Sequence, residues 1–170
     1  MSEELAMSEP HPNAVLLERF YSAFARRDGA AMAACYAPDA RFADPVFDVS
    51  GSEIGAMWTM LCERATDLRV EWRDIRADDA RGHAHWEPRY TFSATGRPVH
   101  NVIDAAFTFE AGRIVRHVDT FDLWRWSRMA LGARGLLLGW SPLVRNAVRR
   151  QARRGLDAWM SRPPRAVLAQ

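Results

Sequence analysis

The chain has no lysine: all 23 basic residues among its 170 are arginine, a bias that carries no chemical reading by itself. Cysteine is nearly absent too. Cys35 and Cys62 offer neither metal-ligand spacing nor a disulfide framework, and a reducing cytoplasm is the expected setting. No run of about 18 uncharged apolar residues occurs, so no segment is expected to span a bilayer. Residues 1–12 hold Glu3, Glu4 and Glu9 without a basic and then apolar succession. That is not the pattern of a secretory signal, and it predicts a disordered leader. Missing as well are a phosphate-cradling glycine loop, a dinucleotide fingerprint and a nucleophile elbow, which removes the chemistries that need them. His83 and His85 lie two apart, but a metal would require a third converging ligand, and no metal site is expected.

What is present suffices for a core. Hydrophobic residues make up 48% and aromatics 11%, which excludes wholesale disorder. The length suits one domain with an extension. The net charge of +2 hides a segregation: residues 1–123 carry 13 arginines against 20 acids, while residues 124–170 carry 10 arginines against Asp157 alone. An acidic body bears a basic tail.

Asn13, after Pro12, is a candidate helix N-cap, and Val15, Leu16, Phe20, Ala23 and Phe24 follow at helical spacing. Asp28-Gly29 ends that helix, and a shorter one is expected over about 30–36. Residues 40–44 alternate as a short strand before Pro45. Ser50 and Glu53 have capping-box spacing and open a third helix through Met57 and Leu61. Beyond it the period changes to two. Strands are expected at about 68–77, 83–93, 98–109 and 113–122, separated by Asp- and Gly-containing turns. Such short links demand antiparallel neighbours. The pattern predicts an α+β domain over residues 13–123, with helices on one face of a curved antiparallel sheet. A helical extension follows over residues 124–170. There Ser141-Pro142 opens a helix to about Met160, with Val144, Ala147, Val148, Ala152, Leu156 and Trp159 in one stripe flanked by arginines.

Four pieces come in a telling order: Phe20-Tyr21, the run Tyr36 to Pro45, Gly51-Ser-Glu53, and Val102-Ile-Asp104 through Ile114. This series resembles the nuclear transport factor two-like superfamily, the cone-shaped fold of ketosteroid isomerases and SnoaL-type polyketide cyclases. The resemblance implies a general base at Asp44, in the Ala-Asp-Pro step. It implies a protonated acid at Asp104 that hydrogen-bonds the substrate oxyanion, and a supporting tyrosine at Tyr36. It also implies a homodimer. Phe20 stands where the isomerase pattern has its oxyanion tyrosine, and Tyr21 beside it is rotated by about 100° around the helix. Scytalone dehydratase-like members combine histidines with an aspartate, which points to His117 with Asp119. SnoaL-like cyclases keep an aspartate near the end of this strand, for which Asp119 and Asp122 compete.

Strand alternation sketches the cavity independently. If Asp104 faces inward, so do His100 and Val102, and His117, Asp119 and Phe121 likewise share one face. Trp86, Tyr90 and Phe92 would line the inner face, with His85, Glu87 and Arg89 opposite. A carboxyl in such an apolar hollow loses hydration and gains proton affinity, so it can act as a base near neutrality or as a donor. Asp44, Asp104, His117 and Asp119 are therefore the catalytic candidates. Phe20, Tyr36, Trp58, Trp86, Tyr90 and His100 are the candidates for substrate contact. Plainer roles compete: a turn cap for Asp44, a backbone acceptor for Asp104, and a structural pair for His117 and Asp119.

The expected activity is acid–base catalysis of the isomerase, dehydratase or cyclase type, on a small, largely apolar molecule bearing a carbonyl or hydroxyl group. Proton transfer of this kind needs no cofactor. The alternative is a non-catalytic module that binds a small ligand. The basic tail is expected to pack on the body or on a second copy, with an anionic membrane surface approached through residues 141–162 as a competing role. Nucleic acid is disfavoured, because the arginines are interleaved with a continuous apolar stripe.

Overall fold

The structure, a computed structural model, describes residues 9–163. Most of the leader expected over residues 1–12 lies outside the described residues. Helix α1 (Pro12–Ala25) is capped by His11 rather than Asn13: the His11 Nδ1 accepts from the Asn13 amide at 3.1 Å, and Pro12 takes the first helical turn, where no amide is needed. Asn13 is spent elsewhere, its Nδ2 donating to the Asp78 carbonyl at 2.9 Å and so tying the helix start to a strand turn. Helix α2 (Gly29–Ala33) is capped by Asp28, which accepts from the Ala31 amide. It crosses helix α3 (Ser52–Arg64) so closely that a Cβ at Gly29 would lie 2.6 Å from the Thr59 Cα. Only glycine permits that approach.

Seven strands form one curved sheet: β1 (Tyr36–Ala43), β2 (Asp48–Ser50), β3 (Arg69–Ala77), β4 (Arg81–Phe92), β5 (Arg97–His100), β6 (Ile103–Glu110) and β7 (Arg113–Thr120). Their order is β2-β1-β7-β6-β4-β3, with β5 paired to β4. The α+β class is as expected, but the sheet is mixed, because β1 and β7 run parallel. Short links dictate direction only between consecutive strands. Strands β1 and β7 are neighbours in the sheet but far apart in the chain, so nothing local sets their sense.

The strand expected at 98–109 is split at Asn101-Val102. Pro88 on the neighbouring strand lacks an amide hydrogen for the ladder. Its carbonyl instead accepts from the Asn101 amide at 3.0 Å, and the Asn101 Oδ1 accepts from the Val102 amide. Three helices complete the chain: α4 (Leu123–Leu131), α5 (Ala133–Leu138) and α6 (Pro142–Met160). The stripe on α6 lies against α3, with Leu156 fully buried. Polar ties reinforce the contact: Arg153 to Glu53 at 2.6 Å, and the Trp159 indole donating to Glu63 at 2.8 Å.

Candidate active site

Between the inner face of the sheet, α3, α4 and α6 lies a cavity of about 670 Å³, walled almost wholly by apolar and aromatic side chains. The volume is that of a small-ligand pocket. Trp58, Trp86 and Tyr90 line it, and so does Asp44. The inward row Ala40, Phe42, Asp44 follows from strand alternation continued one step past β1. Residues 44–47 then turn back toward β2. The Asp44 Oδ1 accepts from the amides of Val46 and Phe47, both at 2.6 Å. Asp44 is thus a turn cap and a cavity residue at once. Both amides go to one oxygen, so Oδ2 is left without a donor among the described residues.

Burial pushes the Asp44 carboxyl up from its ordinary 3.8 to about 7; the two amides and Arg149 oppose the shift, and the nearby charge of Asp119 adds to it. Arg149 also donates from Nε to the Pro45 carbonyl at 2.8 Å, so α6 holds the turn that carries Asp44.

Tyr90 faces the same hollow. Its oxygen accepts from the Trp126 indole at 2.9 Å, which leaves the phenolic hydrogen free to donate. Burial pushes this phenol up, against the Trp126 hydrogen bond, and the Asp44 charge pushes it further. Asn101, buried at the strand break, also lines the cavity. It uses its Oδ1 internally, so the amide nitrogen is a second available donor. The cavity therefore pairs one oxygen base with neutral donors in a largely apolar setting.

His117 and Asp119 are brought together as expected and are buried, but below the cavity wall rather than in it. The Trp58 indole donates to the Tyr36 oxygen at 3.0 Å, and Tyr36 meets the His117 Nδ1 at 2.7 Å. The His117 Nε2 meets Asp119 at 2.9 Å, and the Trp86 indole also donates to Asp119 at 3.3 Å. One polarity satisfies every member: Tyr36 donates to Nδ1, and Nε2–H donates to the carboxylate. The chain of bonds begins and ends on the two indoles that form the cavity floor. Strand β7 bulges by one residue, Val115, opposite the Thr108–Phe109 step of β6, which lets Ile114 turn inward along with His117 and Asp119.

Several expectations are corrected. Asp104 faces outward, 61% exposed, against His85 at 3.0 Å and His83 at 3.7 Å. Its register partner on β4 is His85, and directly opposed residues share a face. His100 is on the outer face too, its Nε2 at 2.7 Å from Glu87. Hydrogen bonds from His100 and His85 hold Glu87 down at about 2. Phe20 and Tyr36 are fully packed beneath the cavity rather than lining it, Phe20 edge-on to Tyr36, Trp58 and His117. Tyr21 is equally buried, its ring stacked on Trp72 and its hydroxyl without a partner. Of the two competing aspartates, Asp119 is inside, while Asp122 caps α4 by accepting from the Arg125 amide. Among the described residues no group of three potential metal ligands converges.

The outward position of Asp104 carries a test. Asp104→Asn removes a solvent-screened ion pair, so its unfolding free energy in urea is expected to stay within about 0.5 kcal/mol of the parent chain. A loss of several kcal/mol would mean that the carboxyl is internal.

Sequence reasoning missed Trp126 and Asn101. The stripe on α6 packs on the body, one of the two surfaces expected for it, and there supplies a wall of the cavity.

A model of the SnoaL-like domain family matches residues 17–117. No functionally curated protein matches the chain. Among solved structures, an NTF2-like protein of unknown function from Burkholderia pseudomallei superposes with a TM-score of 0.60 at 22% identity, covering 70% of this chain and 97% of that one. A proposed polyketide cyclase from Xanthomonas campestris gives 0.57 at 25% identity, covering 70% and 96%. An LEH-like epoxide hydrolase of M. tuberculosis gives 0.58 at 20% identity, covering 76% and 96%. The family model shows a SnoaL-like domain, and the superpositions show the same fold.

Proposed function

Because the chain belongs to the SnoaL-like domain family, within the nuclear transport factor two-like superfamily, we propose that it is an acid–base enzyme. Its substrate is a small, largely apolar molecule with a carbonyl or hydroxyl group. The observation that carries this reading is Asp44: a carboxyl on the wall of a largely apolar cavity, held by Oδ1, with no donor to Oδ2 among the described residues and a proton affinity near neutrality.

In this mechanism Asp44 Oδ2 removes a proton from carbon next to the substrate carbonyl and returns it elsewhere. The charge that develops on the carbonyl oxygen is met by the Tyr90 hydroxyl, with the Asn101 amide as second donor. Trp126 holds Tyr90 in place. His117 and Asp119 act one layer below, fixing Trp58 and Trp86 so that the floor keeps its shape. They are positioning residues. Asp104 has no part in the reaction. Solved structures of this fold include proteins named for cyclase and epoxide hydrolase chemistry.

Two measurements test the reading. Carboxyl titration by NMR is expected to place Asp44 near 7; a midpoint at its ordinary value ends the assignment. Incubation of 2-tetralone with the protein in deuterated water is expected to exchange its α-hydrogens faster than buffer does. The rate should rise with pH up to about 7 and level off above, since only the carboxylate is a base. Binding of 2-tetralone without exchange would favour the non-catalytic module.

A further inference from the structure

The apolar stripe of α6 is already spent on the cavity and on α3, so the membrane role expected for residues 141–162 cannot rest on it. A different surface is left over. Leu136, Leu137, Leu138, Trp140 and Leu143 are each at least half exposed, Leu143 to 80%. They form a projecting knuckle from the end of α5 to the start of α6. Its shape is set by close packing behind it: Gly135 and Gly139 are buried, and a Cβ at Gly135 would fall on the Ser127 carbonyl of α4. The Trp140 indole bonds back to the Leu137 carbonyl at 3.0 Å, which fixes the tip. Exposed arginines adjoin it: Arg134 on α5, Arg145 on α6, and Arg128, which stacks on Trp124, whose indole donates to the Leu136 carbonyl.

We infer that this knuckle is a docking surface for an anionic lipid bilayer, inserting Leu137, Trp140 and Leu143 while the flanking arginines meet lipid phosphates. Leucines with an interfacial tryptophan and a basic rim are what such an interface requires. A second copy of the chain fits less well. A twofold contact would set the same arginine-rich surface against itself. A head-to-tail contact would need an apolar acceptor, and outside the knuckle the exposed large hydrophobics among the described residues are only Val15, Met160 and Trp124, the last adjoining the knuckle through its indole bond to the Leu136 carbonyl. Nucleic acid would leave the leucines in water. Leu131 and Val144, on either side of the knuckle, line the cavity, so docking brings the cavity rim to a reservoir of apolar molecules. That last consequence rests on the proposed function; the docking does not.

The test is co-sedimentation of the full chain with phosphatidylcholine vesicles, with and without phosphatidylglycerol. Binding is expected only where phosphatidylglycerol is present, and it should fall with added salt as the arginine attraction is screened. Leu137→Ser and Leu143→Ser are fully surface changes, and each is expected to weaken partitioning roughly tenfold while the thermal midpoint stays put. Equal binding of both variants and parent, or no binding by the parent, overturns the inference. So does a dimer in light scattering that these variants dissolve without any vesicle binding, since the knuckle would then belong to a second copy. None of these outcomes touches the titration of Asp44, so the two readings fail separately.

Discussion

Asp44→Asn is expected to abolish exchange of 2-tetralone hydrogens, by about 10²- to 10⁴-fold, the usual worth of a positioned general base. The fold is expected to survive and to become more stable above neutrality. Asparagine keeps an oxygen for the Val46 and Phe47 amides but carries no charge. The sign follows from linkage. In the parent chain Asp44 binds its proton more tightly when folded, near 7, than in the ordinary state at 3.8. Below both values the two states are equally protonated, and nothing is lost. As pH rises between them, the unfolded chain releases a proton that the folded chain still holds, so folding stability falls. Above about 7 the penalty is complete, on the order of 4 kcal/mol for a shift of this size. Asp44→Asn should erase that slope. Urea unfolding at pH 4 and pH 8 reads it directly: the variant should gain on its parent at pH 8 and show little difference at pH 4. Unchanged exchange by the variant would remove Asp44 from the mechanism, whatever the stability shows.

Tyr90→Phe is the second large effect. Loss of one donor to a developing oxyanion costs about 10²- to 10³-fold in turnover, and the loss should fall on kcat rather than on KM. The ring still fills its place, so substrate contact is largely kept. The variant also leaves the Trp126 indole hydrogen unpaired in a buried site, a cost of about 1 to 3 kcal/mol in stability. Trp126→Phe separates the two contributions. It removes the donor that holds Tyr90 but leaves the hydroxyl, so its rate loss should be smaller than that of Tyr90→Phe. If Tyr90→Phe exchanges 2-tetralone as fast as the parent, the oxyanion is met elsewhere.

The outward position of Asp104 is legible in the alternation of its own strand. Ile103, Ala105, Phe107 and Phe109 are an unbroken period-two apolar row, and all four are buried. Asp104 belongs to the other face by that count alone. The family resemblance pointed inward and outweighed it. His100 followed Asp104 into the wrong face on the assumption of one continuous strand, whereas β5 ends at His100 and β6 begins at Ile103.

Read by itself, the chain determined its α+β class, the period-two strands and the inward set on β4, while Asp44 was marked out by the family resemblance. The first three depend on local chemistry: turn residues and alternation. Only the tertiary structure decided which of the inward groups touch the hollow. His117 and Asp119 turn inward as alternation requires, yet the rings of Trp58 and Trp86 stand between them and the open space. Trp126 reaches Tyr90 across 36 positions of chain, and Arg149 reaches Pro45 across 104. No periodicity encodes such contacts. They arise when separately formed elements pack, and packing alone settles which polar group keeps its water and which must find a partner.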